Sequence, residues 1–296
     1  MRLIVCVKRD LHGCVFLNRL LPRLANHQVH VLLADKTRPA ECSIPELSEL
    51  AYLERGLPLQ RLFPLLDQMP AAAAEWATFA GLEKRHGLRC ERLDDINAPA
   101  TLSALQAFAP DLIISARFSY IFKPAAIGTA RFGVLNVHPG ELPAYAGLFA
   151  PMRTIAEGGR DLVCCLHFID AGIDSGPIID MQRLPYRKDL GLLTQTAEIY
   201  PLAITPLLDL IDRLERGTGI RAAVQDRRQR RYWPAPSAAE VGAFLAAGHR
   251  LWTAQGYDDL LARFLPNGQG IAAPEAAGRF GPGRFDGNLE APLLHR

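Results

Sequence analysis

The sequence predicts a doubly wound α/β domain with a mostly parallel sheet, followed by a short, mainly helical C-terminal extension. Three observations carry that expectation. "RLIVCV", next to the N-terminus, is a continuous apolar run, as a parallel strand covered on both faces should be. Apolar residues at helical spacing follow in "LHGCVFLNRLLPRL", then a second buried strand, "VHVLLAD", and a β-α-β start implies a right-handed crossover. After about Gly217 the alternation of strands and helices stops and the composition changes.

The remaining elements follow in order. Positions 36–87 are more irregular, with helical pieces around 44–55, 59–66 and 72–86. "RCERLD" is a weak strand, and "DINAPATLSALQAFAP" is a helix with proline near its start and another at its end. "DLIISA" and "FGVLNVH" are further strands, and "LVCCLHFI" and "GPIIDMQRLP" are two more, joined by the turn "DAGIDSG". The stretch 190–217 is a long amphipathic helix whose internal prolines predict a break near Pro201 or Pro206. We expect a catalytic domain over 1–216 and an extension over 217–296. Within the extension, Ser237 caps a helix with Glu240 completing a capping box, and "YDDLLARFL" is a second short helix. Trp233, Phe244 and Trp252 are expected to form a small apolar core there, and from Pro266 the Gly- and Pro-rich chain is expected to be a loosely held tail.

Composition excludes several classes. Of 296 residues, 49% are hydrophobic and 22% charged, the profile of an ordinary globular protein. A net charge of +2 is too balanced to argue for nucleic acid, and the basic run "RAAVQDRRQRR" has aromatic residues only at its end, so it reads as a solvated surface segment. Cys6, Cys14, Cys42, Cys90, Cys164 and Cys165 lack the C-x-x-C spacing of a zinc or redox site and read as reduced thiols. No apolar run is long enough to span a bilayer, and a cytoplasmic location is expected. Neither G-x-G-x-x-G nor a P-loop is present, so the α/β pattern does not imply a dinucleotide or ATP.

The chemistry concentrates in "NVHPGELPAYAG", residues 136–147. Asn136 and His138 are two apart on a strand, so they share a face, and Pro139-Gly140 ends the strand at once. Two polar side chains thus stand at a strand's C-terminal end, where open α/β sheets hold their ligands. In the turn "DAGIDSGPII", Asp174 lies between Gly172 and Gly176, which permit close backbone approach. A carboxylate beside an imidazole favours its charged form and orients it, and an amide donates to a developing oxyanion. With no nucleophilic Ser or Cys at hand, that set suggests direct acyl transfer to an amine.

These motifs, "NVHPGELPAYAG" followed by "HFIDAGIDSGPII", resemble the folate-dependent formyltransferases, a family of glycinamide ribonucleotide, methionyl-tRNA and sugar-amine N-formyltransferases. The resemblance covers about residues 1–215 and implies the family's Rossmann-like core. It places Asn136, His138 and Asp174 on the family's catalytic Asn, His and Asp. It also implies 10-formyltetrahydrofolate as formyl donor and no metal. "ARFSYIFKPA" is similar to the segment lining the pterin pocket, which makes Phe118, Tyr120, Ile121 and Phe122, together with Ile169, Asp170, Ala171 and Gly172, the expected donor-binding residues. Gly140-Glu141 stands where the purine and tRNA enzymes usually carry Ser-Leu, and the glycine-rich phosphate loop of the purine enzyme is replaced by "VKRDLHG". Lys8, Arg9, Asp10 and His12, with Gly140, Glu141 and Tyr145, are therefore the expected acceptor-binding residues.

The acceptor expected from this reading is a small metabolite: an amino acid, an amino-sugar nucleotide or a hydroxylamine-type nitrogen. Methionyl-tRNA formyl transfer and formyltetrahydrofolate hydrolysis are the alternatives. The hydrolase carries a regulatory domain ahead of its core, and a first core strand near residue 2 speaks against that reading. A non-catalytic folate- or nucleotide-binding module is a third option, opposed by the presence of all three polar residues. The sequence leaves the oligomeric state open, a homodimer among the options.

Overall fold

The computed structural model describes residues 1–69 and 74–266. In chain order the core comprises β1 (Arg2–Lys8), α1 (Leu11–Leu20), β2 (Gln28–Ala34), α2 (Pro45–Ala51), α3 (Phe63–Gln68), α4 (Phe79–His86), β3 (Cys90–Leu93) and α5 (Pro99–Phe108). It continues with β4 (Leu112–Ala116), α6 (Pro124–Ile127), β5 (Val134–His138), β6 (Ala146–Gly147), α7 (Ala150–Ala156), β7 (Asp161–Phe168), β8 (Ile178–Pro185), α8 (Gly191–Ile199) and α9 (Ile204–Glu215). Beyond these come β9 (Tyr232–Trp233), α10 (Ala238–Ala246) and α11 (Ala254–Ala262).

Seven strands form one sheet in the order β3-β2-β1-β4-β5-β7-β8. The five from β3 to β5 are parallel, while β7 and β8 run antiparallel as a hairpin on the far side. This is the mostly parallel, doubly wound sheet expected from the sequence. Its central strands are apolar on both faces because both are covered: Val5 and Val7 face one core with α1 and α8, and Ile4 and Cys6 face a second with α5. The strand order reverses between β1 and β4, and that reversal opens a crevice at their C-terminal ends.

The 190–217 helix breaks where expected: α8 ends at Ile199, a tight turn spans Tyr200–Ala203 with Pro201 inside it, and α9 continues. The 36–87 region differs from expectation. The pieces expected over 44–55 and 59–66 fuse into one helical run from α2 to α3 through two widened turns, Tyr52–Gly56 and Pro58–Leu62. Pro58 and Pro64 have no N–H to give an ordinary helix, and the wider winding accommodates them; Leu57 and Phe63 bond back to the carbonyls of Tyr52 and Pro58. Of the third piece, α4 forms from Phe79, and its expected first residues fall partly outside the described ones.

The extension does not build the separate Trp233–Phe244–Trp252 core expected from the sequence. Phe244 and Trp252 join the main core. Trp233 instead stacks on Tyr145 beneath the guanidinium of Arg231. The apolar faces of α10 and α11 are too small to bury one another, so they close over the core instead. Phe264 packs on Phe63 and Trp76, and the Tyr257 hydroxyl donates to the Leu53 carbonyl at 2.8 Å. The capping box of Ser237 and Glu240 is formed as expected. The Gly- and Pro-rich tail expected beyond Pro266 lies outside the described residues from 267 onward.

Candidate active site

A cavity of about 1020 Å³ occupies the crevice at the strand ends. Pockets for one small ligand run to roughly 300–1,000 Å³, so this one lies at the upper end of that range. Its floor is formed by the ends of β1, β4 and β5, and its roof by the widened helical run, which contributes Tyr52, Glu54 and Arg55.

Asn136, His138 and Asp174 meet at one end of it. The side-chain nitrogen of Asn136 lies 3.5 Å from Asp174 Oδ1, and His138 Nδ1 lies 3.7 Å from the same oxygen. His138 Nε2 is 2.7 Å from the Tyr145 carbonyl, which only accepts, so Nε2 carries a proton and Nδ1 is the edge turned toward Asp174. His138 is 3% exposed. Sequence reasoning assigned no role to the fourth member of the group, His167. Antiparallel pairing sets it directly opposite Asn136, and its Nε2 lies 3.2 Å from the Asn136 amide nitrogen. Its Nδ1 donates to the Phe168 carbonyl at 2.7 Å, which leaves Nε2 as the acceptor that turns the Asn136 amide. Burial pushes His167 down to about 4, so it is a neutral, fixed acceptor at physiological pH. A lone His in a β-strand shows no function by type, but its place opposite Asn136 follows once β7 pairs with β5.

Asp174 sits in the left-handed region (φ 50°), uncommon for a non-glycine residue although Asp enters it more readily than most. The constraint on it comes from two other parts of the chain. The Gly147 N–H donates to Asp174 Oδ2 at 2.9 Å. Gly147 itself is held by β6–β9 pairing, has φ 100°, and has no room for a Cβ, which would meet the Trp233 carbonyl at 2.3 Å. The second support is Gln225, whose amide donates to the carbonyls of Asp174 at 3.0 Å and Gly176 at 2.7 Å. Arg230 adds a bond to the Ile173 carbonyl at 2.7 Å. The basic stretch after residue 220 is largely exposed, as expected, but through Gln225 and Arg230 it is also a strap across the candidate site. No local sequence signal marks the strap.

Three expected acceptor residues do different work. Gly140 is small because a Cβ would lie 2.5 Å from Ala150 Cβ and 2.9 Å from His138 Nε2, so it lets His138 seat. Glu141 pairs with Arg183 at 3.0 Å on the surface. Tyr145 uses its carbonyl to hold His138 and its hydroxyl to donate to Glu157 at 2.7 Å. None of the three lines the cavity.

The expected donor segment is better matched. Phe118, Tyr120, Ile121, Phe122, Ile169 and Gly172 line the cavity. The Phe118 ring packs 5.4 Å from that of Tyr120 and 5.6 Å from that of Phe122, building one wall of a slot. Asn97 fixes the backbone there, donating to the Ile121 carbonyl at 2.9 Å and accepting from Lys123 N–H at 2.8 Å. Asp170 and Ala171 do not line the cavity; the Asp170 carboxylate accepts from Gly172 N–H and the Ser175 hydroxyl, shaping the turn before Asp174.

The side chains of the loop after β1 are engaged by other parts of the protein. Lys8 pairs with Glu41 at 2.5 Å. Asp10 is fully buried, caps α1 through Gly13 N–H at 2.8 Å, and binds Arg117 at 2.5 Å. Burial alone would raise Asp10, but Arg117, Lys8 and His12 outweigh it and hold its carboxyl below the usual range. Arg117 also pairs with Glu54. His12 is 1% exposed, bonds to the Leu193 carbonyl at 2.9 Å and does not line the cavity, which corrects its expected acceptor role. Arg9 lines the cavity and pairs with Asp35 at 2.6 Å. Among the described residues no group of three His, Cys, Asp or Glu side chains is placed to hold a metal, and no helix is long and apolar enough to cross a membrane.

Comparison with known proteins adds the following. Residues 80–191 match the family model described as formyl transferase. The methionyl-tRNA formyltransferase of Rhodopirellula baltica is 32% identical over 120 residues, which is 40% of this chain and 34% of that protein. The phosphoribosylglycinamide formyltransferase of Escherichia coli K12 is 31% identical over 112 residues, 36% of this chain and 53% of that one. The matched stretches therefore span between about a third and about half of these relatives' lengths. In fold, the chain is similar to a sugar N-formyltransferase from Shewanella sp. FDAARGOS_354 (TM-score 0.52, 14% identity, 83% of this chain and 88% of that one). It is similar too to HypX from Aquifex aeolicus (TM-score 0.52, 15% identity, 81% and 32%).

Proposed function

We propose that this protein transfers a formyl group from 10-formyltetrahydrofolate to the amine, or a related nitrogen, of a small metabolite, a reading supported by the match of residues 80–191 to the formyl transferase family model. The observation that carries the reading is the convergence of Asn136 and His138 on one oxygen of Asp174, in a cavity of about 1020 Å³. The slot of Phe118, Tyr120, Phe122 and Ile169 fits a flat ring with polar edges, and it belongs to the same cavity as those three side chains.

The folate supplies the formyl carbon. Asn136, its amide turned by His167, donates to the formyl oxygen where negative charge develops. His138 donates to the same charge from Nδ1 when protonated, with its Nε2–H held by the Tyr145 carbonyl. Asp174 stabilises the His138 cation and accepts, directly or through water, a proton from the incoming nitrogen. His138 then delivers a proton to the departing nitrogen. The wall of Phe118, Tyr120 and Phe122 keeps bulk water from the donor's ring.

The deciding experiment incubates the protein with 10-formyltetrahydrofolate and a panel of amines, amino acids and amine-bearing sugar nucleotides, and reads formyl transfer by mass. A donor consumed only to formate, with no formylated amine from any of them, would replace transfer with hydrolysis. A second reading, formylation of methionyl-tRNA, is favoured by one observation: the arginine-rich strap folds beside the site, with Tyr232 on the cavity wall. Charged initiator tRNA therefore belongs in the panel. Against that reading stands the net charge of +2, small for a partner that needs a broad cationic surface.

A further inference from the structure

The end of the cavity away from Asn136 holds a cluster that the catalytic reading does not use. Asp35, at the end of β2, is shared by three guanidinium groups from three different parts of the chain. Arg9, after β1, bonds its Oδ1 at 2.6 Å, and Arg55, from the roof, bonds Oδ1 at 3.0 Å. Arg92, on β3, bonds Oδ2 at 2.6 Å. All four residues line the cavity. Lys36 lies beside them, over the face of Tyr120.

Charge and donor counting both point outward. Three cations around one carboxylate leave a local excess of two positive charges. Three guanidinium groups carry about fifteen N–H bonds, while one carboxylate accepts about four. The Thr37 hydroxyl takes one more, from Arg55 at 3.2 Å. Arg55 Nε is buried with no hydrogen-bond partner among the described residues. A structural ion pair needs one guanidinium per carboxylate, as Arg183 and Glu141 illustrate elsewhere on this chain. The other acids nearby do not correct the surplus: Glu41 and Glu54 line the cavity but are paired with Lys8 and Arg117, and Asp94 and Asp95 follow β3 but do not line the cavity.

We propose that Arg9, Arg55 and Arg92, arranged on Asp35, form a binding site for a doubly charged oxyanion, and that its ligand is a phosphate or diphosphate group of the acceptor. This deepens the formyl-transfer reading and rests on it for the word acceptor, but the anion site itself does not. Planar guanidinium forks match phosphate oxygens in pairs, and a dianion matches the surplus of two charges. Position fits as well. Between β5, which carries Asn136, and β2, which Asp35 follows, lie three strand spacings, about 14 Å at roughly 4.8 Å each. The site thus selects an acceptor whose reactive nitrogen and phosphate are separated by about that span.

The test titrates inorganic phosphate, pyrophosphate and acetate, each alone and at constant ionic strength, into the wild-type protein and into Arg55→Gln, Arg92→Gln and Asp35→Asn. Affinity for 5-formyltetrahydrofolate is measured in parallel. The Arg92 side chain is 65% exposed, so its replacement leaves the fold in place. We expect pyrophosphate to bind more tightly than acetate, at least tenfold weaker binding in both arginine variants, and tighter binding in Asp35→Asn, where a competing carboxylate is removed. Folate affinity should change less than threefold in all. Pyrophosphate affinity unaltered by the arginine variants would overturn the proposal. So would a tenfold loss of folate affinity with phosphate binding intact, because it assigns the cluster to the carboxylates of the donor. Neither readout needs turnover. A protein that binds pyrophosphate here yet transfers no formyl group refutes the functional reading and leaves the anion site standing.

Discussion

Gln225 lies 51 residues beyond Asp174, yet its side chain holds the two carbonyls that bracket the Asp174 turn. Replacing it with leucine keeps its bulk and removes both donors. Each of the two carbonyls left without a partner costs about 1–3 kcal/mol, so the turn loses roughly 2–6 kcal/mol. That loss falls on a residue already held at φ 50°, a conformation costing about 1–3 kcal/mol that its surroundings must sustain. Because 1.4 kcal/mol is a factor of ten, we expect the transfer rate in Gln225→Leu to fall at least tenfold, with the donor KM changing less than about threefold. Gln225→Glu should be worse, because a carboxylate repels the same two carbonyls. Single-turnover transfer to the acceptor identified by mass measures the rate, and amide hydrogen exchange across 170–176 measures the turn. Leucine at 225 with wild-type turnover and unchanged exchange would refute the idea that the strap positions Asp174.

Other expectations follow from the same geometry. Asp174→Ala should keep the fold and most of the folate affinity but lose about two or more orders of magnitude in transfer; wild-type turnover would remove Asp174 from the mechanism. His167 is held near 4 by burial against an ordinary 6.5, so between those pH values the unfolded chain takes up a proton the fold refuses. Stability should therefore fall as pH drops through that window, by up to about 3 kcal/mol, and His167→Gln should flatten the slope in urea titrations at several pH values. Buried His12, also shifted downward by burial, would account for what slope is left; an unchanged slope in the variant would clear His167 of the effect. Glu240→Ala breaks a capping box and strands Arg153, which is 4% exposed, so we expect a loss of about 2–4 kcal/mol in chemical denaturation; less than about 1 would mean that the pair is dispensable. Finally, 10-formyltetrahydrofolate or its 5-deaza analogue should raise the melting temperature by mass action, and no shift at saturation would count against the aromatic slot.

What was legible in the sequence is what local physics writes there. Continuous apolar runs mark covered parallel strands, so β1, β2 and β4 were readable, as were the break at Pro201 and the Ser237 cap. The side-chain period of two put Asn136 and His138 on one face, and the glycines around Asp174 marked a turn. Tertiary structure decided what depends on pairing across distance. The register of β5 against β7 brings His167 to Asn136, and no property of either strand alone sets that register. Packing made Gly140 and Tyr145 supports of His138, because the space around an imidazole is set by residues that meet only in the fold. The charged loop after β1 looked the same in sequence whether its partners were substrate or protein. Only the fold shows that Lys8 and Asp10 are already paired, while the guanidinium groups on Asp35 outnumber it three to one. The strap over 223–233 was opaque for the same reason: an arginine-rich segment reads as solvated until chain connectivity lays it across a turn whose carbonyls need donors.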